Sequence, residues 1–114
     1  MTGTLLPRQA GAMDPLDRLE ATIRARRDAA EPGSSYVASL FAKGRPKIAQ
    51  KVGEEATETV IAALAEPDTL ASEAADLVFH LLVLLADAGL GLDDVRAELA
   101  RREGVSGHDE KASR

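Results

Sequence analysis

Glu54, Glu55 and Glu58 stand in the run KVGEEATETV, and Glu73 and Asp76 stand in the run SEAADLVFHLL. Both runs otherwise read as apolar helix. A carboxylate is costly to bury unless it is paired, hydrogen-bonded or bound to a metal. A helix advances about 100° per residue, so Glu55 shares a face with Glu58, and Glu54 also adjoins Glu58. Glu73 and Asp76 repeat the i, i+3 spacing on the next predicted helix, and His80 continues their row by one turn. Joined through EPDT as an antiparallel hairpin, the two helices would bring Glu55 and Glu58 opposite Glu73 and Asp76. Converging carboxylates repel one another, and a divalent cation turns that repulsion into coordination. Oxygen-only ligands favour Mg2+ or Mn2+ over a structural zinc. Mg2+ also keeps waters and takes phosphate oxygens, which suits phosphate transfer or hydrolysis. Glu54 is then a spare carboxylate that could position or deprotonate a water.

Taken alone, EExxE also describes an ordinary solvated helix face. The second acidic pair favours a site because it borders the most apolar run of the chain, Leu77 to Ala86. His80 is read as supporting the site or packing in the core rather than as a direct ligand. Lys43, Arg45, Lys47 and Lys51 gather just before the first acidic cluster. They either solubilise the surface or hold the phosphates of an anionic substrate. KGRPK is not a P-loop, because the Gly-rich run and the GK[ST] ending are missing. Ser34, Ser35 and Tyr36 could bond a sugar or phosphate, with helix capping and packing as equally good explanations. His108, Asp109 and Glu110 read as solvated tail residues. A di-iron bundle would need paired Glu-x-x-His segments, which are absent. No arrangement supports a serine or cysteine nucleophile or a dinucleotide fingerprint.

The elements that position these groups read as helices throughout. Asp14 and Pro15 predict an N-cap and first helical residue for a helix over about 15–30, with Leu16, Leu19 and Ile23 on one face. Pro32 and Gly33 end it. Ser34 or Ser35 caps a short helix through Tyr36, Val37, Leu40 and Phe41, which Gly44 breaks. Pro46 opens a helix to about residue 65, with Ile48, Val52, Ala56, Val60 and Ala63 as its packing stripe. Gly53 is an imperfection there that a close helix approach would justify. Pro67 ends that helix, and Thr69 to about Ala88 makes the next, with Leu77, Val78, Leu81 and Leu85 as its buried stripe. Asp93 or Asp94 begins the last helix. The fold class is therefore all-α: a compact bundle of four main helices plus a short one, spanning 14–103. Residues 1–13 are a loose leader and 104–114 a polar tail.

Composition agrees with this reading. The chain has 114 residues, enough for one domain, and a formal charge of -5 without a strong basic stripe, which disfavours nucleic acid. It has no cysteine, so disulfides and thiolate metal sites are excluded. The start lacks a signal-peptide apolar core, and LVFHLLVLLA is too short to span a bilayer. A cytoplasmic protein without membrane partners is the expectation.

The ordered pattern KGRPKIAQKVGEEATETV, then SEAADLVFHLLVLL, resembles the phosphoribosyl-ATP pyrophosphatases of histidine biosynthesis, within the all-α nucleotide pyrophosphohydrolases that include the MazG proteins. The resemblance covers about residues 15–102. It implies Mg2+-dependent hydrolysis of 1-(5-phosphoribosyl)-ATP to 1-(5-phosphoribosyl)-AMP and pyrophosphate. By motif position it implies Glu55, Glu58, Glu73 and Asp76 as metal ligands, with Glu54, Glu55 and Glu58 as the catalytic carboxylates. Lys43, Lys47 and Lys51 are the corresponding phosphate contacts. It further implies a homodimer with sites near the interface, for which Leu82, Val83 and Leu85 offer apolar surface unless they complete the monomer's own core. Nothing resembles a fused cyclohydrolase, so that next step is expected on a separate chain. A general dNTP pyrophosphohydrolase and a non-enzymatic helical module are the competing readings, and a nucleic-acid partner is a weak third.

Overall fold

Asp14 caps the first helix as its sequence predicts: Oδ1 accepts the Asp17 backbone N–H at 2.9 Å, and Pro15 opens α1, Pro15–Ala29. The computed structural model describes residues 14–29, 33, 35–105, 107, 108 and 111. Ser34, Pro32, Asp109, Glu110 and the leader 1–13 lie outside these. Of the two candidate serines, Ser35 caps α2, Tyr36–Lys43, by accepting the Ala38 N–H at 3.0 Å. Gly44, at φ 94, both closes α2 and opens α3, Arg45–Ala65. That left-handed conformation suits glycine, and it turns the chain within one residue. A single 3-10 turn, Pro67–Thr69, leads into α4, Leu70–Asp87. Gly89, at φ 77, ends α4, with the Leu90 N–H reaching back to the Leu85 carbonyl at 2.8 Å. The next helix, α5, is Leu92–Arg101. There is no strand among the described residues.

The core forms where four helices meet: Ile23 of α1, Val37 and Leu40 of α2, Ile48 of α3, and Leu82, Val83 and Ala86 of α4. Each buried Val, Leu or Ile side chain among them contributes roughly 1.5–3 kcal/mol by leaving water. Tethers fix the periphery. Arg45 Nε donates to Asp87 Oδ2 at 2.7 Å, joining the start of α3 to the end of α4. Glu20 Oε2 accepts the Leu92 N–H at 2.6 Å, so α1 supplies a cap for α5, and Asp94 Oδ2 accepts the Gly91 N–H. Gly91 is therefore the N-cap and Leu92 the first residue of α5, rather than Asp93 or Asp94.

Several packing expectations change. On α3 the inward face runs through Ile48, Val52, Glu55, Thr59 and Ala62, while Val60 is 57% exposed and Ala63 is exposed. The register explains this, because Thr59 rather than Val60 faces the start of α4. On α4 the buried apolar residues are Leu82, Val83 and Ala86; Leu81 is 41% exposed, and Leu77, Val78 and Leu85 are half-buried. Leu82 and Val83 thus complete the core of this chain rather than offer surface to a partner. A Cβ on Gly53 would meet nothing within 4 Å, so no close approach requires that glycine. The apolar run in α4 is also longer as built than its core implied. Pro67–Asp87 is long and apolar enough to cross a membrane by length and composition, with 22% of its most apolar 18 residues buried. The same helix carries Glu73, Asp76 and His80 and packs along α3.

Candidate active site between α3 and α4

Two contacts set the register of the hairpin. Arg45 meets Asp87, and Thr59 meets Glu73, so equal advances along both helices stay in step. Thr59 Oγ1 lies 2.8 Å from the Glu55 carbonyl and 3.2 Å from the Glu73 carbonyl, where its one proton reaches either helix. This pins the backbone at the level of the acidic residues. Glu55 and Glu73 point into the seam, with Glu58 beside them at its exposed edge. Carboxylate oxygens of Glu55, Glu58 and Glu73 all lie within 4.8 Å of one another.

The cluster is unsatisfied by the protein. Glu55 is only 7% exposed, and its Oε1 has no hydrogen-bond partner; Glu73 Oε1 is likewise buried without one. Buried carboxylate oxygens normally have partners. Burial pushes the Glu73 carboxyl above the ordinary range, and the neighbouring charges of Glu58, Asp76 and Glu55 push it further. Asp76, exposed one turn along α4, therefore acts on the cluster electrostatically while standing outside the close trio. These residues fit a hard divalent cation: several oxygen donors converge, and one oxygen each of Glu55 and Glu73 is desolvated and unpartnered.

The positive side of the seam is equally ordered. Lys51 Nζ lies 3.2 Å from Glu54 Oε1 and 3.8 Å from Glu55 Oε2. The hydrogen bond to Glu54 raises the Lys51 ammonium above its usual range, with Tyr36 and Glu55 adding to it. Glu54 also accepts from Gln50 at 2.8 Å, and these bonds from Gln50 and Lys51, with Lys47 nearby, hold its carboxyl below the usual range. Glu54 thus belongs to the exposed flank and not to the buried trio. Lys47 is half-buried on α3, and Lys43 is exposed at the end of α2. Arg45 is committed to Asp87, so the basic run divides into a structural clamp at Arg45 and the lysine ammonium groups, of which Lys51 pairs with the acidic flank.

His80 is 6% exposed, with Nδ1 2.8 Å from the Asp76 carbonyl and Nε2 2.8 Å from the Tyr36 hydroxyl. Sequence reasoning did not find Thr59 or Gln50. Thr59 is one turn from Glu55, but its cross-helix reach depends on a register that no sequence pattern states. Gln50 had a legible signal, being four residues before Glu54.

Comparison with known proteins adds a consistent result. Residues 16–103 match the family model described as phosphoribosyl-ATP pyrophosphohydrolase. The phosphoribosyl-ATP pyrophosphatase of Erythrobacter litoralis (strain HTCC2594) is 68% identical over 103 residues, covering 90% of this chain and 98% of that protein. That of Rhizorhabdus wittichii is 67% identical over 87% of this chain and 93% of the relative. That of Zymomonas mobilis subsp. mobilis is 61% identical, covering 89% and 94%.

Proposed function

We propose, from the premise that this chain belongs to the phosphoribosyl-ATP pyrophosphohydrolase family, how its α3–α4 seam performs that family's reaction. The protein is a hydrolase of histidine biosynthesis that converts 1-(5-phosphoribosyl)-ATP to 1-(5-phosphoribosyl)-AMP and pyrophosphate. The observation that carries the site is the pair of buried, unpartnered oxygens on Glu55 and Glu73, one from each helix. Glu55, Glu58 and Glu73 would hold Mg2+, with Asp76 at the open edge. When bound, the ion neutralises the triphosphate and stabilises the charge that develops on departing pyrophosphate.

The chain's own residues do the rest. Lys47 and Lys51 line the approach from α3, with Lys43 behind them, and draw the phosphates toward the carboxylates. An ammonium has three donors. Lys51 keeps Glu54 and Glu55 as neighbours and still has a proton to offer a phosphate oxygen. Glu54, held ionised by Gln50 and Lys51, accepts a hydrogen bond from the attacking water and orients it toward phosphorus. Thr59 keeps the two carboxylate-bearing helices in register.

The protein acts as a cytoplasmic homodimer in this reading. Val60, Ile61 and Leu64 of α3 are 57%, 52% and 83% exposed, and Leu81 of α4 is 41% exposed. A second copy of the same hairpin covers such surface by isologous packing.

The reaction is tested by incubating the purified chain with phosphoribosyl-ATP and Mg2+ and identifying the products. Phosphoribosyl-AMP and pyrophosphate are expected; release of single phosphate, or much higher catalytic efficiency on a canonical dNTP, would sink the assignment. Glu55→Gln should keep its helix content and lose turnover by roughly a hundredfold or more. Near-normal turnover in that variant would remove Glu55 from the site.

A further inference from the structure

His80 is a buried ring with both nitrogens engaged, and the reaction just described gives it no task. The Asp76 carbonyl can only accept, so Nδ1 carries the ring proton and donates it at 2.8 Å. In the neutral imidazole this leaves the lone pair on Nε2, which therefore accepts the Tyr36 O–H, also at 2.8 Å. The phenol's single proton is spent. Its oxygen retains lone pairs and faces outward only as an acceptor.

The position of that oxygen is fixed by packing as well. Tyr36 stacks on Phe79 with centroids 6.0 Å apart, and His80 meets Phe79 edge-on at 4.9 Å. Tyr36 is nonetheless 50% exposed. It stands beside the site from two directions: through His80 it is joined to Asp76 on α4, and it lies within electrostatic range of Lys51 on α3. Holding an exposed tyrosine this firmly has little structural value, since half of its surface remains in water.

We infer that Tyr36 is a substrate-binding residue whose hydroxyl accepts a hydrogen bond from a sugar hydroxyl of the substrate, and that His80 is the positioning residue that aims it. This rests on the family reaction and adds a contact to it. A phosphate oxygen is not the partner, because phosphate offers no donor to an oxygen whose own proton is already committed. The contact therefore lies on the nucleoside side of the substrate, where the sugar hydroxyls are donors, while the lysines serve the phosphates.

Steady-state kinetics on the full chain test the inference in variants first shown to fold and bind Mn2+. In Tyr36→Phe, KM for phosphoribosyl-ATP should rise about tenfold while kcat stays within about twofold. Product inhibition separates the ligand's parts. Inhibition by phosphoribosyl-AMP, which retains the sugars, should weaken by a similar factor, and inhibition by pyrophosphate should not change. His80→Phe should reproduce the KM effect, and the double variant should be no worse than either single one, because both remove the same contact. An unchanged KM in Tyr36→Phe overturns the inference, as does weakened pyrophosphate inhibition, which would mark a phosphate contact. Fully additive effects would overturn the role of His80. If His80→Phe does not fold, Tyr36→Phe still decides, since its ring and packing are kept. Failure of the wild-type chain to hydrolyse phosphoribosyl-ATP would instead strike the family reaction itself.

Discussion

Glu73 carries a proton affinity that a metal-free fold must accommodate. Its carboxyl is raised by burial and by the charges of Glu58, Asp76 and Glu55. A carboxyl raised in the folded state binds its proton better there than in the unfolded chain. Its contribution to stability is therefore full below the unfolded value and is lost as pH rises through the folded one. In chelator, Glu73→Gln should melt above wild type near about pH 7, and the gap should close as the pH is lowered and wild type takes up its proton, which it does above the ordinary carboxylate range. Saturating Mn2+ should reverse the order at neutral pH, because only the wild type keeps the ligand. Thermal melts across that range check both signs; equal melting of the two proteins at every pH in chelator would show that Glu73 is not strained. Glu98 has the opposite sign. Hydrogen bonds from Arg101 and Arg102 lower it to about 2, so its stabilisation persists through mild acid and is lost only as pH falls toward that value.

At the scale of elements, the α3–α4 hairpin is held in step by few polar contacts, and these are separable from the chemistry. Thr59→Val removes the hydroxyl shared by the Glu55 and Glu73 carbonyls. It should cost about 1 kcal/mol of stability and weaken Mn2+ binding, whereas Thr59→Ser should retain both. Denaturation curves and a metal titration of the two variants test this, and equal metal affinity in Thr59→Val would deny the register role. Two glycines should answer oppositely to alanine. Gly53→Ala places a methyl group in open space on a helix interior and should stabilise by up to about 1 kcal/mol. Gly91→Ala drives its Cβ into the Glu20 carboxylate and the Arg24 guanidinium, where Glu20 caps α5. Its midpoint in urea should fall, and loss of that order between the two variants would contradict the packing described.

The whole molecule leaves an apolar face on its outside. Val60, Ile61, Leu64 and Leu81 stay exposed even though α3 and α4 pack along most of their length. Leu64→Asp should shift a dimer to monomer in sedimentation velocity while far-ultraviolet circular dichroism stays the same. The variant loses little of the core, because Leu64 is 83% exposed within one chain. An unchanged sedimentation coefficient would place the partner surface elsewhere or remove it.

Much of this was legible in the residues because helices are local objects. Asp14, Ser35, Pro46, Pro67 and Gly89 mark helix ends through hydrogen bonds and dihedral preferences that involve only their sequence neighbours. The i, i+3 spacing likewise placed Glu55 with Glu58 and Glu73 with Asp76, and the wider pattern pointed to the family. What the tertiary structure decided was which side of each helix faces which neighbour. A shift of one residue along α3 exchanges Val60 for Thr59, turning an expected core position outward and bringing a hydroxyl between the two acidic helices. The same register gathered Glu55, Glu58 and Glu73, left Asp76 at the edge, and set Tyr36 on His80 across two helices far apart in the chain. Spacing fixes the faces of single helices, but the angle between faces is set by core packing among Ile23, Leu40, Ile48 and Val83, which no local pattern encodes.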